Sequence, residues 1–112
     1  MSQAQFEMSR RVADFHIAGF AHWDGLEVID ELRVGTQVEL KKEYSNLHDP
    51  DAIAIYYQST KLGYVPAYKN DVLSTLFHFG HGNIFEAFIQ LRDMTEHPER
   101  QFRVVVKVKD NR

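Results

Sequence analysis

No cysteine occurs in this sequence, which rules out both a disulfide framework and a thiolate zinc centre, the staples on which small secreted domains usually rely. A reducing, cytoplasmic setting is therefore expected. Long apolar runs are also missing: nothing approaches the roughly 18 residues of a membrane span, and residues 1–11 are polar and mixed in charge, without the apolar core of a signal peptide. Neither export nor membrane insertion is expected. An excess of positive charge is lacking too, since the net charge is −3, and this argues against a protein that grips duplex nucleic acid through its phosphates with a broad basic face. Finally, no repeat, low-complexity tract or linker-like stretch divides the chain.

The 112 residues suit one ordinary domain, and 44% apolar with 26% charged residues is close to the globular average, so burial can offset chain entropy. We expect a polar lead-in over residues 1–11 and a single domain over 12–110. Charge is uneven along it. From Arg100 to Arg112 five basic residues face one acid, a local +4 that leaves −7 on the rest of the chain. The composition thus allows a local basic strip on an acidic body.

Periodicity predicts a mainly β chain with one or two helices. Residues 12–20 read as a strand with Phe15 and Ile17 on one face and His16 on the other. Asp24 and Glu27 have capping-box spacing, and Leu26, Ile29 and Leu32 recur at helical intervals until Gly35, so a short helix is expected there, with a strand around Val28 and Ile29 as its rival. Residues 37–44 alternate, with Val38 and Leu40 on the inner side. A strongly marked turn follows, in which Ser45, Asn46, Asp49, Pro50 and Asp51 crowd into seven residues. Strands over 52–57 and 62–65 come next, the second stopped by Pro66, which cannot donate to a ladder. Asn70 is placed to cap a helix bearing Val72, Leu73, Leu76 and Phe77, with Gly80 closing it in a left-handed conformation. Strands over 84–92 and from Phe102 through Val108 complete a set of about six, which points to a small barrel or strongly curved sheet with Phe15, Ile17, Val38, Leu40, Ile53, Ile55, Val104 and Val106 in one core.

Chemistry is sparsely marked. His78 and His81 share a spacing that one helix face can use for metal, yet His81 lies beyond the helix stop and no third ligand has a place, so no metal or other cofactor is expected. No Gly-x-Ser-x-Gly elbow is present, and the glycines at 80 and 82 lack the Lys and Ser or Thr of a phosphate loop. Trp23 either stacks on a base or peptide or covers one end of the barrel. Asn46, His48 and Asp49 carry more information, because three hydrogen-bonding side chains in one tight turn can converge on a small polar group or, alternatively, organise the turn backbone.

From that turn onward the sequence resembles the HIRAN domain, found at the N-terminus of certain SWI/SNF-type DNA translocases and as small standalone bacterial proteins. Three stretches carry the resemblance. A strand ends in glycine (Phe15-His16-Ile17-Ala18-Gly19); Val34-Gly35 leads into Val38-Glu39-Leu40; and the run from Asn46 through Asp49 to Ile55 is followed by Leu62-Gly63-Tyr64-Val65-Pro66 and a helix. The pairing of Asn-x-x-Asp-x-x-Ala-Ile with Gly-Tyr-Val-Pro is the specific part. The resemblance implies a small OB-like β-barrel that holds the 3′-terminal nucleotides of single-stranded DNA, with polar groups on the terminal hydroxyl and aromatic rings against bases. Asn46 and Asp49 match the amide and carboxylate of that pocket. His48 stands where the turn often carries tyrosine, His16 lies near a pocket tyrosine of the first strand, and Phe15 takes the place of a basic residue. His16, Trp23, Asn46, His48, Asp49 and Tyr64 are therefore the candidate nucleic-acid-binding residues. The expected function is noncatalytic recognition of single-stranded nucleic acid, with any DNA remodelling left to a separate partner. A protein or peptide interaction module is the alternative, and a small metal-dependent hydrolase or nuclease the third class.

Overall fold

The computed structural model describes residues 9–109. Six strands form one antiparallel sheet: β1 (Ser9–His16), β2 (Gln37–Lys42), β3 (Ile53–Tyr57), β4 (Thr60–Tyr64), β5 (Phe85–Arg92) and β6 (Phe102–Lys109), in the order β1-β6-β5-β2-β3-β4. One α-helix, α1 (Asp71–His78), lies between β4 and β5, and short 3-10 segments fill the other connections, the longest being Asp24–Glu31. None of these helices is long and apolar enough to cross a membrane. Most of the lead-in expected over residues 1–11 lies outside the described residues, and the part within them, from Ser9, already belongs to β1.

Alternation explains the core. Phe15, Ile17, Val38, Ile53, Ile55, Val104 and Val106 are buried, and Leu40 packs against them half-buried, so the eight side chains expected to share one interior do so. Phe20 and Phe102 add a ring pair 4.9 Å apart, and Leu73 brings α1 onto the same cluster. Each such side chain contributes roughly 1.5–3 kcal/mol through burial.

Among the described residues the sheet stays open along most of its length and its two edges touch at one point. Beyond β1 the chain leaves β6 after the Ile17 N–H bonds the Phe102 carbonyl, and Ala18 then exchanges two backbone hydrogen bonds with Tyr64 of β4, both 2.9 Å. This transfer is why β1 ends at His16 and does not run to residue 20. Gly63 makes the approach possible. A Cβ there would lie 2.4 Å from the Ala18 carbonyl oxygen and 2.7 Å from the Ile17 side chain, and its φ of +150° is one that L-residues rarely adopt. The Gly-Tyr-Val-Pro motif thus carries the contact at which the two edges of the curved sheet meet.

Two helical expectations need correction. The segment after Trp23 is 3-10, not α, and it is broken at Val28, whose φ of −122° is non-helical; Trp23 occupies the cap position and no side chain caps the segment. Its last carbonyls are held instead from β5, where the Arg92 guanidinium donates to the Ile29 and Leu32 oxygens at 2.5 and 2.7 Å. Asn70 sits at the start of α1 but its side chain does not cap it. That amide is buried and turned toward the 46–51 turn, where it donates to Asp49 at 3.2 Å. Gly80 does adopt the left-handed conformation expected after α1, at φ +83°.

Replacing Gly63 by alanine should destabilise the fold by roughly 1–3 kcal/mol, because both the steric clash and the positive φ act against it. Chemical denaturation of the variant checks this, and an unchanged midpoint would show that the bridge yields at no cost.

Candidate functional site

The turn between β2 and β3 is organised from within. Asn46 Oδ1 accepts the N–H groups of His48 and Asp49, both at 2.9 Å, while its Nδ2 donates to Glu43 at 3.1 Å. Both acceptor sites of that amide and one of its donors are therefore committed to the turn and to Glu43. Asp49 is only half committed: one carboxylate oxygen accepts the Asp51 N–H at 2.9 Å and the other the Asn70 amide at 3.2 Å, which leaves two of its roughly four lone-pair directions. A second tether, from the Ser74 hydroxyl to Asp51 at 3.1 Å, fixes the turn to α1. Among the described residues no hydrogen bond holds the His48 ring, which is exposed.

Glu43, the first residue past β2, joins this turn to β4. Its carboxylate accepts the Lys61 ammonium at 2.6 Å and the Tyr64 hydroxyl at 2.7 Å in addition to the Asn46 amide, and Lys61 also donates to the Tyr64 oxygen at 2.7 Å. Burial works against ionisation of Glu43, but these three donors outweigh it and hold the carboxyl below its ordinary range. Lys61 is pushed up despite its burial, by the same carboxylate and phenol. The ammonium lies 3.7 Å from the centre of the Trp23 ring, and Trp23 packs edge-on to Tyr64 at 5.9 Å.

Above this network lies a cavity of about 230 Å³, with Ala18, Asn46, His48, Asp49, Tyr64 and Ala67 in its lining. A second cavity of about 370 Å³, which shares Ala18 with the first, is lined by His16, Pro66, Tyr68, Glu99 and Arg100. Because Ala18, where the sheet edges meet, belongs to both linings, we call the two cavities the two lobes of a groove. In the second lobe His16 Nδ1 lies 3.3 Å from an Arg103 nitrogen, and because arginine only donates, Nδ1 is the acceptor and Nε2 carries the hydrogen of the neutral ring. Burial, reinforced by Arg103 and Arg100, lowers the pKa of that imidazole below its ordinary value. Arg103 is itself bound to Asp14. Glu99 accepts the Gly19 N–H at 2.8 Å.

Five of the six residues singled out from sequence line this groove; Trp23 lines neither lobe and buttresses Tyr64 through Lys61. Tyr68, which is 79% exposed, and Arg100 were not singled out, although Arg100 belongs to the basic stretch noted above. Glu43 and Lys61 were missed as well. Only their proximity to the two motifs hinted at them, since a carboxylate and an ammonium on separate strands carry no shared spacing. Among the described residues no three His, Asp or Glu side chains converge as metal ligands would.

The network predicts a pH dependence. Because the folded-state pKa of Glu43 is depressed, its contribution is fully present above the ordinary carboxylate range and is lost as pH falls through the lowered value. Glu43→Gln should therefore lose roughly 1–3 kcal/mol at neutral pH and show a smaller difference from the parent in acid. Denaturation midpoints for both proteins, measured from neutral pH down to about pH 3, give the test; parallel curves would mean that Glu43 is not the hub.

Comparison with known proteins agrees with this architecture. The HIRAN domain family model matches residues 11–109. A crystal structure of a protein from Lactobacillus plantarum superposes with a TM-score of 0.75 at 24% identity, covering 89% of this chain and 94% of that one. The HIRAN domain of human HLTF superposes with a TM-score of 0.60 at 14% identity, covering 91% and 81% respectively. At these identities the likeness is one of fold. No curated protein matches the chain. The family match spans both sequence motifs, most of β1 and all of β2 to β6, and the chain belongs to the HIRAN domain family.

Proposed function

We propose that this chain is a noncatalytic cytoplasmic module that binds single-stranded DNA, seating the 3′-terminal nucleotide in the groove at the Ala18–Tyr64 bridge. Membership of a family of nucleic-acid-binding modules supports the general role. The observation that carries the finer reading is the cavity beside Asp49, whose carboxylate keeps acceptor capacity after holding its own turn. A carboxylate there accepts a hydrogen bond from a free 3′-hydroxyl and repels a terminal phosphate, so the site reads a strand end in preference to backbone charge. Tyr64, fixed by Glu43 and Lys61, offers a ring at the wall, and Tyr68 with the His16 Nε2–H and Arg100 equips the adjoining lobe for a base and a phosphate. A separate protein would supply any DNA remodelling.

Few cations line the groove, so affinity should depend only weakly on salt: the slope of log K against log salt should lie near −0.7 to −1.4, equivalent to about one or two phosphates. Capping the strand is a cleaner probe than mutation, because it leaves the protein untouched. A 3′-phosphate or 3′-deoxy end should weaken binding about tenfold relative to a 3′-hydroxyl, and Asp49→Asn should erase that difference. Fluorescence anisotropy with the three strands measures it. Equal affinity for all three ends would discard the end-reading role, and no affinity for any would discard single-strand binding altogether.

A further inference from the structure

The turn that walls the groove has a second side. There a cavity of about 260 Å³ opens between α1 and the end of β2, with Lys42, Tyr44, Pro50, Asp51, His78 and Phe79 in its lining. Two aromatic rings at this cavity stand in water, Tyr44 at 71% and Phe79 at 68% exposure. Neither is needed to fill the core, yet both are held. The Tyr44 hydroxyl donates to the Phe77 carbonyl at 3.4 Å, and Phe79 meets the His78 ring edge-on at 5.0 Å. Lys42 donates to the Pro50 carbonyl and lies 5.2 Å from the centre of the Tyr44 ring. The one acid of the lining, Asp51, accepts the Ser74 hydroxyl on one carboxylate oxygen.

We propose that this cavity is a second nucleotide subsite, in which an unstacked base of the same strand lies against the Tyr44 and Phe79 rings. The inference rests on the single-strand reading above and adds a residue set outside the groove. Three features select the occupant. Held, exposed π-faces suit any base, whatever its sequence. One cation set against one acid leaves little net charge for gripping a phosphate, so the ring and not the backbone is bound here, with Lys42 adding a weak attraction toward a neighbouring phosphate. The site also shares its wall with the groove: Asn46, His48 and Asp49 face one cavity while Pro50 and Asp51 face the other, so a strand leaving the first crosses a single rigid turn to reach the second.

The test compares the parent with Tyr44→Ala/Phe79→Ala on 3′-hydroxyl strands of about three and about ten nucleotides. Both residues are exposed, so the melting temperature should be nearly unchanged. The variant should bind the longer strand about tenfold more weakly and the shorter one within about twofold, as expected from removing one base stack. Photocrosslinks from bromodeoxyuridine placed inside the longer strand should map to Tyr44 or Phe79. Equal affinity for the longer strand, with crosslinks elsewhere, overturns the subsite and leaves the groove reading intact. A parent that binds neither strand overturns both. If the substitutions weaken only an aromatic-rich peptide and spare both strands, the face serves a protein partner and the subsite is overturned.

Discussion

The bridge between Ala18 and Tyr64 is the constraint on which the site depends. Two backbone hydrogen bonds join sheet edges that otherwise remain apart, and the residue beside them has to be glycine because nothing larger fits against the Ala18 carbonyl. The bridge sets the position of Tyr64, and Tyr64 in turn orients Glu43, whose carboxylate reaches back to Asn46. Through these contacts a steric requirement on one strand fixes the shape of a turn on another. The groove adjoins this junction, and Ala18 lines both of its lobes.

Charge is used sparingly. The groove combines Asp49 and Glu99 with Arg100 and a histidine whose imidazolium form is disfavoured, so it has no strong net attraction for a polyanion. Lys61, the cation closest to Tyr64, is spent on the Glu43 carboxylate and the Trp23 ring. On the proposed function such a surface would discriminate by hydrogen-bond complementarity and stacking, both of which act at contact distance. An acidic chain would in this way bind the end of a strand while ignoring the many phosphates of a duplex.

Much of the fold was legible in the sequence because strand alternation is a local signal: Val38 and Leu40, Ile53 and Ile55, and Val104 and Val106 each announce an inner face. The resemblance in the two motifs supplied the family and pointed to five residues that line the two cavities. What stayed hidden depended on distant partners. The switch of Ala18 from β6 to β4 has no local signature, so alternation over residues 12–20 carries the first strand four residues past its end at His16. Asp24 and Glu27 have the spacing of a capping box, but only the segment's last carbonyls are held, by Arg92 from β5, and its backbone breaks at Val28, neither of which spacing reveals. Asparagine usually caps a helix from the place Asn70 holds, whereas the buried Asn70 amide serves Asp49. The Glu43–Lys61 pair was invisible for the same reason, since its members are 18 residues apart and meet only once the strands pair.

The central claim, that a strand end occupies the groove over the bridge, is tested most directly by following backbone amide resonances while a short 3′-hydroxyl oligonucleotide is added. The account predicts saturable shifts at His16, Ala18, residues 46–49 and residues 64–68, with the outer strand positions of β5 unmoved. Shifts concentrated on β5, or spread evenly along the basic residues of β6 and vanishing in moderate salt, would contradict it.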